Sequence, residues 1–235
     1  MFNIDNPAAR PFWPARLGRH LRAKAWFTMS TVRKTNWSEK IGVAAVLSPA
    51  GAIEVVEYNV LDGEVARMQD GAGALVFSAG NINVNIIDAN ALRYDIEPTV
   101  YKGKTVEIDG VKLSTSSMEF LNQHITRKFL PSSVLFFEVP RVDFFMPVKN
   151  PTGADSMVTA FRMMTEQAAR WLEAAGGFIP RSGGNVDAYF ELHPSVALDA
   201  ADLSVRGIGK GWVLERDARV YLCARCSHDG GPVIA

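Results

Sequence analysis

The sequence predicts an α/β chain that ends in a small β-rich region, and three observations carry that prediction. The run over residues 136–150 holds more apolar bulk than a strand tolerates unless both its faces are buried. Apolar segments at 41–47 and 52–58 flank Ser48-Pro49-Ala50-Gly51, the composition of a hairpin turn. Over 156–175 apolar residues recur at steps of three and four, the period of a helix with one buried face.

The first of these is read as one strand, with Phe136, Phe137, Val139, Val142, Phe144, Phe145, Met146 and Val148 in the core. Lys149 emerges at its end, before the turn-forming Pro151-Thr152-Gly153. In open α/β sheets ligands bind outside strand ends, and an ammonium there is a point charge for phosphate. On pattern alone, a surface lysine on a loop accounts for the same residue.

Taken in order, residues 2–7 read as the tail of a strand whose beginning lies outside the chain, and 16–27 as a short helix. In the second hairpin strand Glu54 and Glu57 are polar exceptions. Pattern points them to solvent, and a ligand-binding role is the alternative. Residues 74–79 read as a further strand, closed by Gly80. Asn81, Asn83 and Asn85 then share one face if extended, an amide ladder that suits sugar hydroxyls or a solvated edge. A hairpin of 99–101 and 105–113 is expected around Lys102-Gly103-Lys104, with a second turn at Asp109-Gly110. Residues 116–129 are expected to be helical. In the helix over 156–175, Val158, Phe161, Met164, Ala168, Trp171 and Ala175 make the core stripe, and Arg162, Glu166 and Arg170 pair on another face. Asp155 or Thr152 caps it, and Gly176-Gly177 ends it. Strands at 186–192 and 212–223 complete the chain.

At 235 residues and 48% hydrophobic, the chain can bury a substantial core. No apolar run approaches the roughly 20 residues that span a bilayer, and no signal-peptide pattern opens the sequence, so a soluble, cytoplasmic protein is expected. The net charge of zero divides unevenly, with +6 in residues 1–40 and −6 in the rest. Pro7, Pro11 and Pro14 argue against an organelle presequence. The aromatics there lack the spacing of a nucleic-acid stacking module. Cys223 and Cys226, with His228 beside them, fall short of four zinc ligands, and His20, His124 and His193 supply no second cluster.

A resemblance then emerges from seven pieces in order: Asp5-Asn6-Pro7; Val32-Arg33-Lys34-Thr35-Asn36 leading to Glu39-Lys40-Ile41-Gly42-Val43; Val55-Val56-Glu57-Tyr58; Phe77-Ser78-Ala79-Gly80-Asn81-Ile82; Phe137-Glu138-Val139-Pro140-Arg141; Phe145-Met146-Pro147-Val148-Lys149-Asn150; and the end of the helix from Trp171 to Gly177. Almost the whole chain resembles the C-terminal half of the eukaryotic-type UDP-N-acetylglucosamine pyrophosphorylases, of the UDP-sugar pyrophosphorylase family. The resemblance implies part of a Rossmann-like nucleotidyltransferase mixed sheet, with 1–177 in the catalytic domain and 178–235 as a small C-terminal region. It implies transfer of UMP from UTP to N-acetylglucosamine 1-phosphate or a related sugar 1-phosphate, with Mg2+ present and pyrophosphate released. Lys149 would hold phosphates, Glu57 and Asn81 would bind sugar hydroxyls with Gly80 beside them, Tyr58 would flank the sugar, and Asp5 would touch the metal.

The sequence departs from the family at Trp13-Pro14, where Asp-Pro is expected, and at Asn85, where a histidine is expected. Leu121 to Thr126 replaces an aromatic-rich stretch, and no glycine-rich phosphate loop occurs. Three functions follow: a fragment or one chain of a split enzyme, its N-terminal half supplied separately; a non-catalytic sugar-phosphate-binding or regulatory module; or a binder of nucleic acid or protein through the basic start. On the first, the chain alone is expected to expose a sheet edge, to self-associate or fold only partly, and to make no UDP-sugar.

Overall fold

Helix α1 (Pro14–Arg22) begins on Pro14, whose missing N–H would have had no helical partner. Strand β1 (Phe27–Arg33) follows and is buried on both faces through Val32. The computed structural model describes residues 1–47 and 51–223. They divide into two compact units, the first comprising Met1–Ile4 and Ala9–Arg141, the second Asp5–Ala8 and the chain from Val142 onward.

In the first unit β2 (Val43–Leu47) and β3 (Ala52–Val56) pair antiparallel from Val43↔Val56 to Leu47↔Ala52. The hairpin expected there forms, although Ser48, Pro49 and Ala50 of its turn lie outside the described residues. A short α2 (Gly63–Arg67) is capped by the Asp62 side chain. Then come β4 (Ala79–Ile87), the hairpin β5 (Thr99–Ile108) and β6 (Val111–Glu119), and β7 (Val134–Glu138). The sheet order is β3-β2-β4-β1-β7, with β1 and β7 parallel and the other pairs antiparallel. One face of β1 puts Phe27 and Met29 in a core with Ile53, Val55, Ile125 and Val134. Trp26, Tyr94 and Phe129 close it with ring centroids 5.5–5.9 Å apart.

The opposite face of β1 is polar and nonetheless buried. His20 Nδ1 shares a 2.8 Å hydrogen bond with Thr28 Oγ1. Arg16, 1% exposed, donates to Ser30 Oγ and to the carbonyls of Val84 (3.2 Å), Arg10 (3.0 Å) and Pro11 (2.7 Å). The β1–β4 register slips between Met29 and Thr31, and Asn83 takes φ +51° in the resulting bulge. Arg16 thus supplies a donor where the ladder is interrupted. Burial pulls its guanidinium pKa down to about 10, so it stays charged at neutral pH.

The second unit contains α3 (Arg141–Phe144) from Val142 on, α4 (Met157–Ala174), the two-residue strands β8 (Arg181–Ser182) and β9 (Asn185–Val186), β10 (Tyr189–Leu192), α5 (Ala200–Val205) and β11 (Arg219–Leu222). Strands β10 and β11 pair in parallel. Ala168, Ala169 and Leu172 of α4 share one core with Ile179, Phe190, Leu203 and Leu222, so the end of this helix and the segment after it are stabilised together.

Several sequence expectations are corrected. Residues 136–150 are not one strand: β7 ends at Glu138, and Pro140, which cannot donate to a ladder, precedes α3. Phe136 is 41% exposed at the sheet edge, and Val142 and Val148 are also exposed, whereas Val139, Phe144, Phe145 and Met146 are buried. The strand buried on both faces is β1, which lies between the middle strand β4 and the edge strand β7. Residues 2–7 are not a strand, and the 74–79 segment becomes one only at Ala79. The first helix runs Pro14–Arg22, not 16–27. Asp109-Gly110 is the hairpin tip, and Gly103 lies in a bulge. Residues 116–129 hold the end of β6 and a 3-10 helix, Asn122–Lys128, in place of an α-helix. Ser156, with Thr159 in a reciprocal capping box, replaces Asp155 or Thr152 as the cap of α4. The buried stripe of α4 is Ala160, Thr165, Ala168, Ala169 and Leu172, leaving Val158 and Phe161 exposed. Glu166 pairs with Arg181 at 2.9 Å and Arg170 with Asp143 at 2.7 Å, rather than with each other. The strands at 186–192 and 212–223 shrink to β9, β10 and β11. No helix among the described residues is long and apolar enough to cross a membrane.

Candidate functional site

In the first unit three of the residues singled out from sequence meet around a glycine. Strands β2 and β4 touch at Val43↔Gly80, and the Asn81 N–H donates to the Gly42 carbonyl at 2.8 Å. A Cβ on Gly42 would stand 3.2 and 3.3 Å from the two Glu57 carboxylate oxygens and 2.8 Å from Val55 Cγ1. The half-buried Glu57 carboxylate therefore rests against Gly42, on the strand end that holds Asn81. Gly80 also permits close approach, since a Cβ there would lie 2.8 Å from Ile41 Cδ1 and 3.1 Å from the Val32 carbonyl. Tyr58 follows Glu57 and is exposed. Glu57 itself lies one residue past β3, where its carbonyl accepts from Val60 and Leu61.

Two further residues join this group that pattern reasoning passed over. Gln123, on the 3-10 helix, donates from Nε2 to Glu57 Oε1 at 3.2 Å. Tyr101 lies within the field of Glu57: burial first, then Glu57, Glu119 and Tyr58, push its phenol pKa up. Beside them is an amide network. Asn85 Nδ2 donates to Asn83 Oδ1 and Asn122 Oδ1, both at 2.9 Å, and Asn122 Nδ2 donates to Asn83 Oδ1 at 3.1 Å. Asn83 also reaches Asn3. Asn81 Oδ1 accepts the Asn83 N–H at 2.9 Å. The expected face of asparagines is thus a bonded cluster organised by the bulge. Asn85 Oδ1 is buried with no partner within the described residues.

Asp5 and Lys149 belong to the second unit. Buried Asn6 ties their segments together, donating to the Phe144 carbonyl at 2.8 Å and accepting from the Met146 N–H at 3.0 Å. The Val148 N–H then donates to the Asp5 carbonyl at 2.8 Å. Lys149 is exposed, with Nζ 5.5 Å from the Phe145 ring centroid, and its N–H and that of Asn150 both donate to the Asp155 carbonyl. It sits beyond α3 in irregular backbone, not at the end of a strand.

Among the described residues no group of three or more His, Cys, Asp or Glu could cage a metal. The half-buried Asp5 is compatible with the way Mg2+ binds alongside phosphates, through one or two carboxylates with water and substrate oxygens completing the shell. Cys223 is buried; Cys226 and His228 lie outside the described residues. His20 is bonded to Thr28, and His124 contacts Thr99 at 3.3 Å. Two clefts of about 330 and 420 Å³ share Phe161 and Tyr189 in the second unit, and none of the site residues predicted from sequence lines them.

The mixed sheet with its attached α/β unit has the fold of part of a UDP-sugar pyrophosphorylase. A UDP-N-acetylglucosamine pyrophosphorylase structure from Trypanosoma brucei aligns over 92% of this chain and 48% of its own, with a TM-score of 0.71 and 23% identity. One from Entamoeba histolytica assigned to the same enzyme aligns over 91% and 54%, with a TM-score of 0.73 and 20% identity. No protein-family profile matches. UDP-N-acetylglucosamine diphosphorylase 2 of Arabidopsis thaliana is 29% identical over 191 residues, 77% of this chain and 38% of that protein. The chain spans 37–49% of the curated relatives it matches. The chain is homologous to part of the UDP-N-acetylglucosamine pyrophosphorylases, enzymes of the UDP-sugar pyrophosphorylase family.

Proposed function

We propose that this chain carries the sugar-1-phosphate side of a uridylyltransferase site, in which an oxygen of N-acetylglucosamine 1-phosphate attacks the α-phosphorus of UTP and pyrophosphate leaves. The observation that carries this reading is the meeting of Glu57 and Asn81 around Gly42. A carboxylate accepts sugar hydroxyl protons, and a side-chain amide both donates and accepts. The ring of Tyr58, the exposed residue after Glu57, would flank the sugar. Lys149, whose ammonium is exposed, meets charge on the transferring phosphate, and the reaction needs positioning and electrostatic stabilisation rather than a covalent nucleophile. When bound, Mg2+ would be held by Asp5 and would neutralise phosphate charge. Residues 1–177 supply the catalytic portion, and 178–235 the C-terminal region.

The test is pyrophosphate release from UTP and N-acetylglucosamine 1-phosphate, with calorimetric binding of each substrate. In an active protein Lys149→Ala lowers turnover by about 100-fold. Glu57→Ala weakens sugar 1-phosphate about 10-fold or more while sparing UTP. Equal losses for both substrates would assign Glu57 to stability alone. Binding of the sugar phosphate with no turnover would favour the second reading, a non-catalytic module.

A further inference from the structure

We propose that, independently of the sugar site, the cleft of about 330 Å³ in the second unit binds a small zwitterion with an aromatic side chain, an α-amino acid of the phenylalanine class. Strand alternation builds its floor. β10 and β11 pair in register from Tyr189↔Arg219 to Leu192↔Leu222. Phe190 and Leu222 belong to the core of the unit, so Tyr189, Glu191, Arg219 and Tyr221 share the opposite face, where all four line the cleft. Phe161 of α4 reaches the same place, its ring centroid 5.5 Å from that of Tyr189 and the planes 36° apart. The residues Phe161, Tyr189 and Tyr221 are each 37–48% exposed. A bound ring would cover that aromatic surface.

The charges decide the ligand's class. Among the described residues the half-buried Glu191 carboxylate has no hydrogen-bond or ion-pair partner. The Arg219 guanidinium lies over the Tyr189 ring, 5.3 Å from its centroid, and makes no ion pair among those residues either. The register places the two on diagonal positions of one face, with Cα atoms about 8 Å apart. Because they are opposite in sign, Glu191 repels an anion and Arg219 repels a cation, and an uncharged ring would leave both unpaired. An ammonium and a carboxylate on one carbon satisfy the pair together. The carboxylate accepts from the guanidinium fork, the ammonium donates to Glu191, and the side-chain ring covers the aromatic surface. The volume stands at the small end of ligand pockets, as a single amino acid requires.

The experiment titrates L-phenylalanine calorimetrically into the 235-residue chain at about pH 7, alongside hydrocinnamate, which lacks the ammonium, and phenethylamine, which lacks the carboxylate. L-phenylalanine binds with a Kd of about 1 mM or tighter, and each singly charged analogue binds about tenfold more weakly. Glu191→Gln weakens L-phenylalanine about tenfold while hydrocinnamate binds at least as well as to wild type. Arg219→Gln weakens it equally and spares phenethylamine. Hydrogen exchange in β10 and β11 slows when L-phenylalanine is bound. A role of the two charges in packing alone would lower each variant's melting temperature and weaken all three ligands alike. That uniform loss overturns the proposal, as does undiminished L-phenylalanine binding by both variants. It is equally overturned if either analogue binds the wild-type chain as tightly as L-phenylalanine, if the protection falls only outside β10 and β11, or if L-phenylalanine shows no saturable binding up to about 10 mM.

Discussion

The first unit packs a polar layer with a buried arginine against β1, whereas the main core of the second is apolar. Strand β1 sets Thr28 and Ser30 against His20 and Arg16, and the neighbouring bulge gathers Asn81, Asn83 and Asn85 with Asn122. The second unit is centred on Leu172, Phe190, Leu203 and Leu222, and its fork of Arg181 onto Glu166 and Glu173 lies near the surface. Buried polar groups are expensive unless every member is bonded, and once satisfied they hold a single geometry. The candidate sugar site lies in the unit that bears this cost.

The largest expected effect breaks the polar centre. Arg16→Met strips donors from Ser30, Val84, Arg10 and Pro11 at once. At roughly 1–3 kcal/mol per buried acceptor left unpaired, about 5 kcal/mol is expected, comparable with the lower end of whole-domain stability. Segment-resolved hydrogen exchange should show the loss concentrated in β1 and β4. An exchange pattern like that of wild type would mean that the bulge stands without Arg16.

Next is the apolar centre. Leu172→Ala removes a fully buried side chain that is packed closely enough for a Cβ on Gly177 to fall 2.7 Å from it. About 3 kcal/mol is expected, with accelerated exchange in α4, β10 and α5. If β1 loosened as much as β10, the division of the chain into two units would fail as a description of its stability.

The same contrast decides what could be read from sequence. Apolar spacing revealed α4 and the β2–β3 hairpin because burial there follows periodicity. It missed β1, since Thr28 and Ser30 look like solvent-facing positions until the distant Arg16 and His20 are known to bond them. The run over 136–150 misled in the opposite direction. Its bulk suggested one strand, whereas Pro140 ends the ladder and Phe136 lies at an exposed edge. At the candidate site, Glu57 and Asn81 are proposed from the family resemblance and an amide spacing of two. Gln123 carried no local signal, because its partner is 66 residues away.

The gentlest way to sharpen the comparison is acid, which should act on the polar unit through two imidazoles. Burial pushes the His20 pKa below its usual value, with Asp88 opposing. Burial and then Arg127 push His124 down, with Glu54 opposing. In the unfolded chain both titrate near pH 6.5. Between that value and the lower folded pKa the unfolded chain binds more protons, so stability rises with pH across the window. The contribution is complete above about pH 6.5 and drains away as the pH falls through the folded values. Lowering the pH from about 7.5 to 5.5, above the range in which ordinary carboxylates titrate, should therefore reduce the urea midpoint of first-unit segments. His20→Asn and His124→Asn should each flatten that dependence in part, and the double variant should flatten it most. A midpoint that held steady or rose on acidification, with both histidines present, would mean that these imidazoles are not held neutral by the fold.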